Sequence, residues 1–119
     1  MAAHNDLGNW GEDQAAAFLA QKGFEIIEKN YRKSHSEIDL IVKKDKMLIF
    51  VEVKTRSGTG FGMPEEFVNV TKASLIMRAA EHYIFDKDWM YDIRFDIVSI
   101  LIQPNGQPEI YHIEDAFCK

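Results

Sequence analysis

Two acids and a lysine stand in segments that otherwise read as buried β-strand. Asp39 lies in the run Ser36 to Ile41, and Glu52 and Lys54 lie in the run Val51 to Arg56. An unpaired buried charge costs several kcal/mol, so strand interiors rarely carry one without a role. Neighbouring carboxylates hold a hard, oxygen-liganded cation, and an ammonium beside them can stabilise charge developing on a phosphate. The chemistry these residue types suggest is metal-assisted phosphodiester cleavage.

Spacing sets the geometry. Over 36–43, Glu37, Asp39 and Ile41 alternate onto one face, and Ile38, Leu40 and Val42 onto the other. Over 47–55, Glu52 and Lys54 share a face opposite Val51 and Val53. The polar run Lys43 to Lys46 between them reads as a hairpin turn. If Asp45 and Lys46 form a two-residue loop, Lys44 pairs with Met47, Asp39 with Glu52 and Glu37 with Lys54. Directly opposed residues have Cβ atoms ~5 Å apart, while a slip of one residue would send the acids to opposite faces. At an effective dielectric of ~20 that spacing makes two carboxylates repel by ~3 kcal/mol. A shared proton, a cation or a divalent ion relieves it, and Mg²⁺ or Mn²⁺ suits the oxygen ligands. The alternative is an ion-pair ladder on a solvated face, with Glu37 and Asp39 paired to Lys54.

The elements that must position these groups follow an αβββαββ order. A helix over roughly 8–22 ends at Gly23, and Phe24 to Glu28 forms the first strand. The hairpin gives the next two strands. A glycine-rich stretch over 57–64 precedes a helix over about 66–86. The segment from Ile93 to Ile102, apolar on both faces at its end, reads as a central strand. Asn105 and Gly106 turn the chain into an edge strand over 109–113. On the first helix Glu12 shares a stripe with Ala15, Ala16 and Leu19, so it either points to the site as a third acid or caps the helix dipole. On the second, Lys72 heads the stripe of Leu75, Ile76, Ala79 and Tyr83, and either reaches a phosphate or snorkels from an apolar face. Arg56 is a further candidate for phosphate contact, His35 lies near the site, and Arg94 and Asp96 share a strand face as a structural pair.

The string Gly11-Glu12, Glu37 to Ile41, Phe50 to Arg56, Phe61-Gly62, Lys72, Arg94 to Val98 and His112 to Phe117 resembles the YraN-like family of small bacterial proteins. That family is grouped with Holliday junction resolvase-like members of the PD-(D/E)XK nuclease superfamily. The resemblance runs from about Leu7 to Phe117. Ser36 stands where the family usually has glycine, which predicts a shifted loop, and Ile38 replaces the proline of the superfamily name. The resemblance implies an α/β, restriction-endonuclease-like core: one domain over 1–119 with a mixed β-sheet flanked by helices. It implies Mg²⁺ or Mn²⁺ held by Asp39, Glu52 and the Val53 carbonyl, with Lys54 orienting the attacking water or stabilising phosphate charge, and Glu12 recruiting a second ion. It also implies DNA, branched DNA among its forms, as substrate, and a homodimer. The alternatives are a non-catalytic nucleic-acid-binding or assembly module with the same fold, and a purely structural ion-pair network.

Composition is compatible with this. A chain of 119 residues can bury a real core. No run is long enough to span a membrane, the start lacks a basic-then-apolar leader, and the single Cys118 permits no disulfide framework, so a cytoplasmic protein is expected. A net charge of −5 argues against a general nucleic-acid coat. The basic runs 29–33 and 43–46 are candidate phosphate contacts or ordinary solvated turns. The four histidines show no metal-ligand spacing, and Trp10, Trp89 and the phenylalanines read as core. Glycine-rich nucleotide loops and serine triads are absent.

Overall fold

The computed structural model describes residues 3–57 and 70–116, with side chains from Leu7 onward. The glycine-rich stretch beyond Ser57, the expected first turn of the second helix, Phe117 and Cys118 lie outside the described residues. The elements are α1 (Ala3–Gln21), β1 (Glu25–Lys33), β2 (Ser36–Lys44), β3 (Met47–Ser57), α2 (Val70–Asp86), β4 (Asp92–Ile102) and β5 (Pro108–Ile113). The strands form one sheet in the order β1-β2-β3-β4-β5. Among the described strands only β3 and β4 run parallel; the other neighbours are antiparallel. This is the mixed, helix-flanked α/β arrangement of restriction-endonuclease-like folds.

Each helix covers one face. Ala15, Ala16 and Leu19 of α1 bury against Leu40, Val42, Ile49, Val51, Val98 and Ile100. Ile76, Ala79, Ala80 and Tyr83 of α2 bury against Ile41, Leu48, Phe50 and Phe95. Strands β3 and β4 are therefore apolar on both sides, as a parallel pair under two helices must be. Ile38, which strict alternation places with Leu40 and Val42, packs instead with the α2 cluster. No helix among the described residues is long and apolar enough to cross a membrane.

Local chemistry explains the boundaries. Gly23 ends α1 at φ +95°, with Phe24 N–H donating to the Leu19 carbonyl at 3.1 Å. Helix α1 begins at Ala3 rather than near Gly8, because nothing in the preceding polar run breaks it. Strand β1 continues well past Glu28. The run 29–33, read as a turn from its charge, is edge strand, and an edge tolerates lysine and arginine. Two tight turns join the first three strands: Ser34–His35, with Ser34 at φ +57°, and Asp45–Lys46, with Asp45 at φ +56°. Ser36 accordingly sits in the ladder opposite Lys33, buried, and not in a shifted loop.

Candidate active site

The hairpin register decides the site. Lys44 pairs with Met47, and the ladder continues to Leu40 opposite Val51. One residue further, where Asp39 and Glu52 come opposite, β2 and β3 fork. The Asp39 side chain replaces the missing backbone bond: its Oδ2 accepts the Val53 N–H at 2.8 Å. Beyond that point β3 stays paired with β4 through Ser57. The acids thus lie on the α2 face at the mouth of a fork, and both line a cavity of about 390 Å³. A strand residue turns its N–H and C=O to the same edge, so the Val53 carbonyl also faces the Asp39 side.

Glu52 is 4% exposed, and its charge is met by two ammonium groups. Lys72 Nζ reaches Glu52 Oε2 at 2.6 Å from α2, and Lys54 Nζ approaches the same oxygen at 3.3 Å along β3. Asp39 has no ion pair among the described residues, although its charge helps to raise Lys72. Burial, and then the charge of Glu52, push its carboxyl up to about 8, against the pull of the Val53 hydrogen bond. Burial also lowers the Lys54 ammonium, although Glu52 opposes this. For Lys72, burial pulls downward, but the hydrogen bond and charge of Glu52 outweigh it and the ammonium is raised.

Glu12 lies mid-helix between Ala3 and Gln21, too far in for the helix dipole to account for it. Burial raises its carboxyl, Asn30 holds it down by a hydrogen bond, and Glu37 raises it further. Its charge is also felt at Asp39, so α1 delivers a third acid to the neighbourhood of the pair. Gly11 permits that approach: a Cβ there would collide with the Thr55 side chain of β3.

The Glu37–Lys54 pair of the alternative ion-pair ladder does not form. Glu37 pairs with Arg32 at 3.5 Å across β1 and β2, and Lys54 turns to Glu52 on its own strand. Arg56 is exposed near the end of β3, on the alternation shared by Glu52 and Lys54. The two basic runs are drawn into contacts within the fold. Lys29 pairs with Asp13 at 2.9 Å, Lys44 lies over the Phe24 ring and Lys46 over the Tyr91 ring. Lys44 is five residues along β2 from Asp39, or ~17 Å, far from the acids. Trp10 and Trp89 pack against the two cores, as predicted.

Sequence reading placed His35 near the site and Leu75 and Ile76 on the Lys72 stripe, but missed Thr71 and the cavity these residues enclose. Thr71, Leu75 and Ile76 of α2 face Ser36 and Glu37 of β2, with His35 of the turn completing the lining. The spacing of Lys72 to Ile76 carried part of that signal, since residues one turn apart share a helix face. Away from the site, the Arg94–Asp96 pair is a buried junction. Arg94 holds Asp96 with two bonds of 2.9 Å, and Asp96 Oδ1 also accepts the Asp115 N–H at 3.0 Å. His112 Nε2 lies 2.7 Å from Asp96 Oδ2, and Lys22 Nζ lies 2.8 Å from His112 Nδ1. A charged lysine can only donate, so Nδ1 accepts and Nε2–H donates to Asp96.

Among the described residues, no group of three or more His, Cys, Asp and Glu is gathered to hold a metal. Two carboxylates beside a backbone carbonyl nevertheless fit Mg²⁺, which keeps several waters and takes one or two carboxylates plus substrate phosphate oxygens. They suit zinc poorly, since zinc sites are built mainly from Cys and His, neither of which is at hand among the ligands named.

The uncharacterised protein family UPF0102 matches residues 11–100. A UPF0102 protein of Flavobacterium psychrophilum is 44% identical over 117 residues, covering 98% of each chain. One of Bacteroides thetaiotaomicron is 44% identical over 119 residues, covering 98% of this chain and 96% of its own. One of Dictyoglomus turgidum is 45% identical over 105 residues, covering 87% and 89%.

Proposed function

We propose, from the premise that this chain belongs to the UPF0102 family, a PD-(D/E)XK nuclease-like group, that it is a metal-dependent nuclease cutting phosphodiester bonds, branched DNA among its substrates. The observation that carries this reading is the convergence of Asp39, Glu52, Lys54 and Lys72 at the open fork of β2 and β3. Asp39, Glu52 and the Val53 carbonyl would hold Mg²⁺ or Mn²⁺, and Glu12 stands by for a second ion. When bound, the ion supplies charge neutralisation and Lewis acidity at the phosphate. The Val53 N–H fixes the Asp39 carboxyl, which also shares a hydrogen bond with Glu52, so the two acids face one point. Lys54, lowered by burial, lies where it can stabilise charge building on the phosphate or orient the attacking water. Lys72 brings a second ammonium from α2, and Arg56 extends the basic line along β3 toward the nucleic-acid backbone.

The electrostatics support an anionic substrate. With Asp39 protonated up to about pH 8, the ammonium groups on Glu52 offset its charge, and the cavity is less repulsive to phosphate than its acid count suggests. DNA as partner, a homodimer and the cytoplasm belong to the same reading. The test is cleavage of branched and flap DNA with Mg²⁺ or Mn²⁺, alongside Asp39→Asn and Lys54→Ala. Loss of cutting in both variants supports the site; equal cutting in wild type and variants assigns the activity elsewhere. The neutralisation of Glu52 by two lysines favours one other reading, a module that binds nucleic acid without cutting it. It would give salt-dependent binding and no turnover.

A further inference from the structure

We propose that the cavity beside the two carboxylates is a subsite for one unpaired nucleotide flanking the phosphate to be cut. The substrate is then a strand that is single or displaced from its partner. This rests on the nuclease reading and narrows its substrate class. The cavity, about 390 Å³, lies at the small end of ligand-sized sites and has room for one nucleotide. Its two sides are chemically unlike. Leu75, 36% exposed, and buried Ile76 offer an apolar surface from α2, and the exposed His35 offers a ring from the β1–β2 turn. Such a pairing suits the face of a base, which stacks whatever its sequence. Thr71 and Lys72 stand on the same wall, so a phosphate joined to that base meets a hydroxyl and an ammonium beside Asp39 and Glu52. A paired base must leave its stack to enter, at a cost of a few kcal/mol; an unpaired one enters at least cost.

The experiment measures binding, so it does not depend on turnover. Fluorescence anisotropy in EDTA compares a single strand, a duplex with a single-stranded tail and a blunt duplex of equal length. The expected result is at least tenfold tighter binding of the first two. The His35→Ala/Leu75→Ala variant, checked by thermal melting for an intact fold, should remove that preference and change blunt-duplex binding less than twofold. A wild type that binds all three alike, or a variant that weakens all three equally, overturns the proposal. Competition by a nucleoside monophosphate without any preference among the strands also overturns it, in favour of a free-nucleotide site. A retained strand preference with no cleavage under Mg²⁺ or Mn²⁺ would support the subsite and sink the nuclease reading alone.

Discussion

Replacing Asp39 with asparagine keeps an oxygen that can accept the Val53 N–H and removes a charge the fold resists. Burial and the neighbouring Glu52 push this carboxyl from 3.8 up to about 8. The folded protein therefore keeps the proton across a range in which the unfolded chain has lost it. The contribution of Asp39 to stability must fall as pH rises from about 4 to about 8, because this group binds fewer protons in the unfolded state there. The full displacement bounds the loss at about 6 kcal/mol. Repulsion between two carboxylates ~5 Å apart at an effective dielectric of ~20 contributes about 3 kcal/mol, the more realistic figure for a cavity open to water. Asp39→Asn should accordingly match the wild type near pH 4 and exceed it by about 3 kcal/mol at pH 9. Urea unfolding followed by circular dichroism at both pH values gives the difference directly. Added Mg²⁺ should stabilise the wild type at pH 8 and leave the variant unchanged. A gain that is the same at both pH values, or a variant less stable at pH 9, would refute the electrostatic account of the fork.

Three other outcomes follow from the packing. Gly11→Ala drives a Cβ into the Thr55 side chain and should cost about 1–3 kcal/mol; Gly11→Ala/Thr55→Ala should recover part of the lost melting temperature. Asp96→Asn breaks a fully buried junction with Arg94 and His112 and should cost about 3–5 kcal/mol. Burial raises the Asp96 carboxyl, but His112, Arg94 and the Asp115 N–H outweigh this and hold it below its usual range. Its contribution is therefore present above the ordinary carboxylate range and lost as pH falls through the depressed value, so acid unfolding of the wild type should steepen there and that of Asp96→Asn should not. Lys72→Met removes the 2.6 Å contact with Glu52. The ammonium is part-exposed, so the loss should be about 1 kcal/mol. It should grow from pH 6 to 9, because Asp39 gives up its proton near 8 and its charge then also holds the Lys72 ammonium; denaturant midpoints at the two pH values check it.

What the sequence determined by itself is whatever local geometry governs. Alternation and the Asp45–Lys46 turn set the hairpin register, and with it the placing of Asp39 beside Glu52, because a strand's side chains repeat every second residue. Gly23 marked the end of α1 because only a residue at ease with positive φ closes the helix that way. The αβββαββ order followed from the same punctuation. The charged run 29–33 misled for a reason of position, not propensity: edge strands carry charge that a central strand cannot. The tertiary structure alone decided which cation meets Glu52. Lys72 and Lys54 are far apart in the chain, and only the burial of Ile76, Ala79 and Tyr83 on the sheet brings α2 within 2.6 Å of that carboxylate. It likewise put Glu12 in the middle of a long helix beside the Gly11–Thr55 approach, where its charge is felt at Asp39. Spacing along one element reports the direction a side chain takes; the distance between elements depends on how their apolar faces pack, which no single segment encodes.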